Sequence, residues 1–199
     1  MIVSRCKDNL IFVTSRPIKK RIILINMTDE KVILVNNRDE KIGLMEKMEA
    51  HEKAVLHRAF SVFTFNNKGE LLLQQRAATK YHSPLLWANT CCSHQRDRES
   101  NIEAGKRRLQ EEMGFVCDLK EVFSFVYKAS FENGLTEHEF DHVLVGYYNE
   151  NPIINKEEVE NFKWMTVEDI KEGMKINPES YTAWFLIIFD KYYNFINNG

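Results

Sequence analysis

No apolar run in these 199 residues approaches the ~20 needed to cross a bilayer. The short apolar stretches near the start, Leu10–Val13 and Ile22–Ile25, are broken by charge, which is not the pattern of a secretory signal. Glycine is scarce, with eight residues, and no glycine-rich phosphate loop appears. The four cysteines, Cys6, Cys91, Cys92 and Cys117, form neither a disulfide framework nor a CxxC pair. A bond between the neighbours Cys91 and Cys92 would be strained, so free thiols in a reducing cytoplasm are the simpler reading. Net charge is only −2, so no global field recruits nucleic acid or an anionic membrane, and an anionic ligand has to be gripped by a few local cations. What is present is 44% hydrophobic and 28% charged residues, the profile of one soluble globular domain with a full core.

Residues 1–26 are basic and irregular, and Met27 reads as the physiological start, with the preceding stretch an upstream extension; the competing reading is an extra strand, Arg21–Asn26. A single domain is then expected over 27–199. Lys31–Asn36 reads as a strand, Lys41–Ala50 is mixed in character, and Arg58–Phe65 and Leu71–Arg76 form a hairpin about Asn66-Asn67-Lys68-Gly69. Ser100 with Glu103 makes a capping box for a helix running through Met113 to a stop at Gly114, with Ile102, Leu109 and Met113 as its apolar stripe. Further strands are expected over Glu121–Lys128, Thr136–Tyr148 and Asn161–Met165. A helix follows from Thr166 to about Lys175, and a strongly aromatic last helix runs from Asn177-Pro178-Glu179 to about Ile196. Strands around one mid-chain helix, with helices at the end, predict a mixed β-sheet covered by helices.

Three short pieces carry chemistry. In Trp87-Ala88-Asn89-Thr90-Cys91-Cys92-Ser93-His94, extended backbone puts Cys92 and His94 on one face and Cys91 on the other. One face thus offers a thiol that can exchange a proton and an imidazole that can hold a metal. Glu137-His138-Glu139 repeats the same-face arrangement with two carboxylates and turns His138 away. His51, His57 and His94 with Glu137 and Glu139 make a donor set suited to Mg2+, Mn2+ or Zn2+. Each piece alone also has a plain structural reading: a Cys-Cys pair in a core, solvated histidines, carboxylates on a wet strand face. His82 and His142 read as surface or structural residues.

Glu99 followed eight residues later by Arg107-Arg108-Leu109-Gln110-Glu111-Glu112-Met113-Gly114-Phe115 resembles the Nudix box, with two departures: Ser93 stands at its opening Gly, and Arg108 at a Glu that holds the catalytic cation in Nudix hydrolases. A guanidinium there repels a cation and suits phosphate instead. Together with Arg76–Lys80, the Cys-Cys-Ser-His run, Tyr127, Glu137-x-Glu139 and Trp184, the pattern resembles type I isopentenyl diphosphate isomerase from about Glu30 to the last helix. That resemblance implies an α+β, Nudix-type α/β/α sandwich and a double-bond shift between isopentenyl and dimethylallyl diphosphate through a tertiary carbocation. It implies Cys92 and Glu139 as the acid/base pair, Tyr127 relaying or orienting a proton, and Trp184 lying over the cation. Lys47, Arg76, Lys80 and Arg108 would grip the diphosphate. One divalent ion would sit in the His/Glu site, and a Mg2+ would bridge the diphosphate to Glu112. The implied ligand is a small molecule, with no nucleic acid, membrane or flavin, and the chain a monomer or weak homodimer. The alternative is a Nudix hydrolase of a nucleotide or other organic diphosphate, against which Arg108 argues.

Overall fold

A computed structural model describes residues 30–198, with side chains through residue 191; the expected N-terminal extension and the strand Arg21–Asn26 lie outside them. Nine strands form one sheet: β1 (Lys31–Val35), β2 (Lys41–Glu46), β3 (His57–Phe65), β4 (Leu71–Arg76), β5 (Trp87–Ala88), β6 (Cys91–Ser93), β7 (Leu119–Ser130), β8 (Thr136–Tyr147) and β9 (Val159–Met165). The described helices are α1 (Lys47–Glu52), α2 (Asn101–Met113), α3 (Val167–Ile176) and α4 (Ala183–Asn198). None of them is long and apolar enough to cross a membrane.

Strand β3 organises the sheet. Along one edge it pairs in parallel with β8 for its whole length, from His57↔Glu139 to Phe65↔Tyr147. Its antiparallel partners take turns instead: β1 at His57, β6 at Phe60–Val62 and β4 at Phe65. It is buried on both faces, with only Arg58 partly exposed. One face carries Phe60, Val62, Cys91 and Leu144 against Leu109 and Met113 of α2. The other carries Phe63, Leu73, Tyr127 and Val143 against Trp184, Phe185 and Ile188 of α4. The mixed sheet between helical layers is the expected sandwich.

Local signals hold where the backbone chemistry is explicit. Ser100 and Glu103 form both halves of the capping box, and Gly114 ends α2 at φ 74°, where a Cβ would collide with the Ile153 carbonyl. Thr166 caps α3. The mixed stretch Lys41–Ala50 is split by Glu46, whose side chain accepts from the Glu49 N–H and starts α1 within one residue of the end of β2. The last helix does not begin at Asn177. Pro178–Ser180 is a single 3-10 turn, Tyr181 is extended, and α4 starts at Ala183 after Thr182 donates its N–H to the Trp87 carbonyl. That bond pulls the chain back onto the sheet before the helix begins.

Burial, more than capping, should hold α2 on the sheet. Leu109→Ala, at a fully buried position, is expected to cost about 2–5 kcal/mol of stability, and Ser100→Ala about 0.5–2 kcal/mol. Urea midpoints of the two variants check this; a Leu109→Ala cost no larger than that of the cap variant would contradict it.

Candidate active site

The strand register gathers the chemistry. Tyr127 of β7, Glu139 of β8 and His57 of β3 lie side by side in one row, and cross-strand partners share a face. Two residues on, along the same face, Ala59 is opposite Asp141; two further, Ser61 is opposite Cys92 of β6. His94 follows Cys92 by two residues and reaches the same side. A cleft opens over this face, lined by Cys92, His94, Tyr127, Glu137, Glu139 and Trp184, with Lys47, Arg76, Lys80, Tyr81, His82 and Arg108 also on its walls. Alternation sends Cys91 into the opposite core and turns His138 to the Ala54 carbonyl, as the sequence indicated.

Glu139 is the most heavily engaged group. Its Oε1 lies 2.9 Å from Nε2 of His94 and 3.5 Å from Nε2 of His57, and its Oε2 accepts from Tyr127 at 2.6 Å. Burial alone would raise its pKa; the facing imidazoles of His57 and His94 overcome this and hold the carboxyl well below the usual range. Glu137 goes the other way, pushed up by burial and by the neighbouring Glu139 charge. Its Oε2 lies 3.0 Å from the same Tyr127 hydroxyl. Tyr127 stays a phenol, because burial and both carboxylates raise it well above its ordinary value. Burial also pushes the Cys92 thiol well up, Glu112, Glu137 and Glu139 adding to it and Arg76 pulling against it.

The imidazoles are prepared to hold a cation. Nδ1 of His51 is 2.6 Å from the Lys47 carbonyl and Nδ1 of His57 is 2.8 Å from the Val55 carbonyl. A carbonyl only accepts, so both Nδ1 atoms carry the proton and both Nε2 atoms present a lone pair. Those two Nε2 atoms are buried without a hydrogen-bond partner. Ligand atoms of His51, His57, His94 and Glu139 all lie within 4.8 Å of one another. Burial lowers the pKa of His51, and that of His94 to about 4, so these two rings are neutral near pH 7. These four residues can hold a metal ion. Glu137, expected as a fifth ligand, lies outside this group and is turned toward Tyr127 and His82.

The Nudix-box carboxylates are tied up by arginines. Arg108 donates from Nε and Nη2 to Oε1 of Glu112, at 3.0 and 2.6 Å, and from Nη1 to Glu111 at 2.8 Å. Gln74 donates to the other oxygen of Glu112 at 3.0 Å. Glu112 therefore has no orphaned atom, and the donor set fits an ion there less well than it fits the histidine group.

A NUDIX domain model matches residues 55–185. An isopentenyl-diphosphate Delta-isomerase 2 of Aromatoleum aromaticum is 46% identical over 174 residues, 87% of either chain. The isopentenyl-diphosphate Delta-isomerase of Burkholderia multivorans is 48% identical over 87% of this chain and 93% of its own, and an isopentenyl-diphosphate Delta-isomerase 2 of Photorhabdus laumondii is 51% identical over 72% and 81%. The chain belongs to the isopentenyl-diphosphate Delta-isomerase family. Among solved structures, one from Deinococcus radiodurans aligns at TM-score 0.67 and 21% identity, covering 82% of this chain and 99% of that one. A MutT protein from Methanosarcina mazei aligns at 0.56 and 19%, covering 70% and 94%. Both confirm the Nudix fold.

Within this isomerase-family site the structure brings together nearly every residue that the sequence singled out; Glu112 is buried behind the cleft and does not line it. It also adds residues that the sequence did not supply. His82, read as surface or structural, is buried on the cleft wall, with Nε2 3.4 Å from Glu137, its ring stacked on Phe131 and edge-on to Trp184. Burial, then the Arg76 charge, lowers its pKa to about 3. The one sequence signal near it is its place two residues after Lys80 and just before the Ser83-Pro84 break. His142 is structural, bridging Glu121 and Asp39 away from the cleft.

If the orphaned imidazole nitrogens mark a metal site, a divalent ion such as Mn2+ or Zn2+ at about 100 times its Kd adds about 2.7 kcal/mol of stability. The rise in Tm should disappear in His57→Ala. An equal rise in that variant would contradict the assignment.

Proposed function

We propose that the protein interconverts isopentenyl diphosphate and dimethylallyl diphosphate. One observation carries the reading: a neutral, half-buried thiol, Cys92, and an ionised carboxyl, Glu139, line one cleft with an indole, Trp184, and a cation, Arg76, that has no carboxylate partner among the described residues. Each of these meets a need of the reaction. The alkene is protonated at C4, which leaves a tertiary carbocation at C3; a proton then leaves C2. Cys92 and Glu139 form the acid/base pair, exchanging roles with the direction of the reaction. The Tyr127 hydroxyl donates its one proton to Glu139 at 2.6 Å and lies 3.0 Å from Glu137, and so orients the Glu139 carboxyl and links it to its neighbour.

Trp184 stabilises the cationic carbon through its ring face, worth about 0.5–2 kcal/mol in a desolvated site. Its Nε1–H donates to Asn89 at 3.2 Å, and Asn89 is fixed in turn by the carbonyls of Val62 and Cys91, so the ring is held against the strand that carries the thiol. Arg76 is buried, with Nε unpartnered, Nη2 donating to the His82 carbonyl at 3.1 Å and its guanidinium 5.1 Å from the Trp184 ring centre. A buried cation without a counter-ion calls for an anionic ligand, and a diphosphate supplies one. Lys47, Lys80 and Arg108 complete the grip from the cleft walls.

His51, His57, His94 and Glu139 would hold a divalent ion, Mg2+, Mn2+ or Zn2+, whose charge would keep Glu139 ionised and aligned when bound. The ligand is a small molecule, the chain is a monomer or weak homodimer, and the free thiols suit the reducing cytoplasm. Nudix hydrolysis is disfavoured because Arg108 occupies the carboxylates that would hold its cation.

Incubation with isopentenyl diphosphate and a divalent ion in deuterated water, followed by NMR, should yield dimethylallyl diphosphate carrying solvent deuterium. Cys92→Ala and Glu139→Gln should each lower turnover by about 10²–10⁴-fold with the fold intact. Near-full rates in both variants would overturn these roles, and phosphate release without deuterated product would restore the hydrolase.

A further inference from the structure

We propose that Glu158 is a positioning residue for the diphosphate end of the cleft, holding Lys80 and Arg108 together as one anion-binding unit. The inference rests on the diphosphate reading above and goes beyond it, because Glu158 does not line the cleft.

Its carboxylate has one oxygen for each cation. Oε2 pairs with the Lys80 ammonium, and Oε1 lies 3.3 Å from Nη2 of Arg108. Lys80 and Arg108 both line the cleft wall, and two like charges brought to one mouth repel each other unless an anion lies between them. The pairing is partly shielded from solvent, with the Lys80 and Glu158 side chains 22% and 26% exposed, so salt screens it incompletely. Burial would raise the pKa of Glu158, but Lys80 and then Arg108 lower it on balance, and the group remains an anion near neutral pH.

The backbone around Glu158 is fixed to the elements that carry both cations. Its carbonyl accepts from Ala77 at 3.0 Å, in the loop that leads to Lys80. Its N–H donates to the Asn155 carbonyl at 3.0 Å, and the Asn155 N–H donates at 2.9 Å to the carbonyl of Glu112, one helical turn beyond Arg108 on α2. Val159 is fully buried and pairs with Arg76 across β4 and β9. Glu158 therefore sits on a bracket joining α2 to the exit of β4 and reaches the cations from behind.

Donor counting gives the two cations different tasks. An ammonium has three N–H bonds, and Glu158 engages one, which leaves Lys80 with donors for phosphate oxygens. Arg108 spends Nε and Nη2 on Glu112 and Glu158 and part of Nη1 on Glu111, so it contributes mainly charge. A flexible lysine stem would otherwise disperse that ammonium over many rotamers.

Calorimetric titration of the full chain with inorganic diphosphate, alongside steady-state assays with isopentenyl diphosphate, tests this in wild type, Glu158→Ala and the near-isosteric Glu158→Gln. Both variants should bind diphosphate roughly tenfold more weakly, and KM should rise in parallel, with the loss falling on KM rather than on kcat. A folded variant that binds diphosphate as well as wild type overturns the proposal. Tighter binding overturns it too, since that would make Glu158 a competitor for the phosphate seat. Absence of isomerisation in wild type would instead defeat the parent reading, and the diphosphate titration would still decide the role of Glu158.

Discussion

The cleft depends on how one buried carboxylate is compensated. Glu139 is 7% exposed and ionised, a state that costs several kcal/mol unless opposing partners surround it. Three of those partners come from different strands: His57 of β3, His94 just past β6 and Tyr127 of β7. His51 arrives from α1, its Nδ1 proton committed to the Lys47 carbonyl. The backbone thus chooses the tautomer of His51 and His57 and directs bare Nε2 atoms at the site. A cation bound among them satisfies three imidazoles and a carboxylate at once, which explains why so much polar matter is buried without internal partners.

Strand β3 makes that gathering geometrically available. It offers one edge wholly to β8 and divides the other among β1, β6 and β4, so a three-residue strand bearing Cys92 can be inserted opposite Ser61. The thiol then shares a face with Glu139, while Cys91, one residue away, is core. Cations meet at the cleft by a second route. Each of Lys47, Lys80 and Arg108 carries a carboxylate partner, Glu30, Glu158, and Glu111 with Glu112, whereas Arg76 rests on an indole and a carbonyl. The paired cations are held in place, and Arg76 is the one left to seek an anion.

Much of this was legible in the chain. Period-two spacing in Cys91-Cys92-Ser93-His94 and Glu137-His138-Glu139 assigned faces correctly, because extended backbone leaves no other choice. The capping box at Ser100 and the left-handed Gly114 fixed α2, since both are local chemistry. What was not legible depended on tertiary contact. His82 looked ordinary because only folding stacks it on Phe131 beside Glu137. Glu158 carried no local signal, since its partners are 78 and 50 residues away in sequence. Asn177-Pro178-Glu179 carried a helix-start signal, yet the Thr182–Trp87 bond delays the helix to Ala183. Glu112 was expected to hold a cation on the strength of a motif, but its oxygens accept from Arg108 and Gln74, and that competition depends on where the sheet places Gln74.

The measurement that bears most directly on the compensation of Glu139 is an anomalous-difference map from crystals grown with Mn2+ and inorganic diphosphate. The account predicts a peak bounded by His51, His57, His94 and Glu139, with diphosphate density against Arg76 and Lys80. A well-ordered protein with no peak among the histidines, or with diphosphate seated away from Arg76, would contradict it.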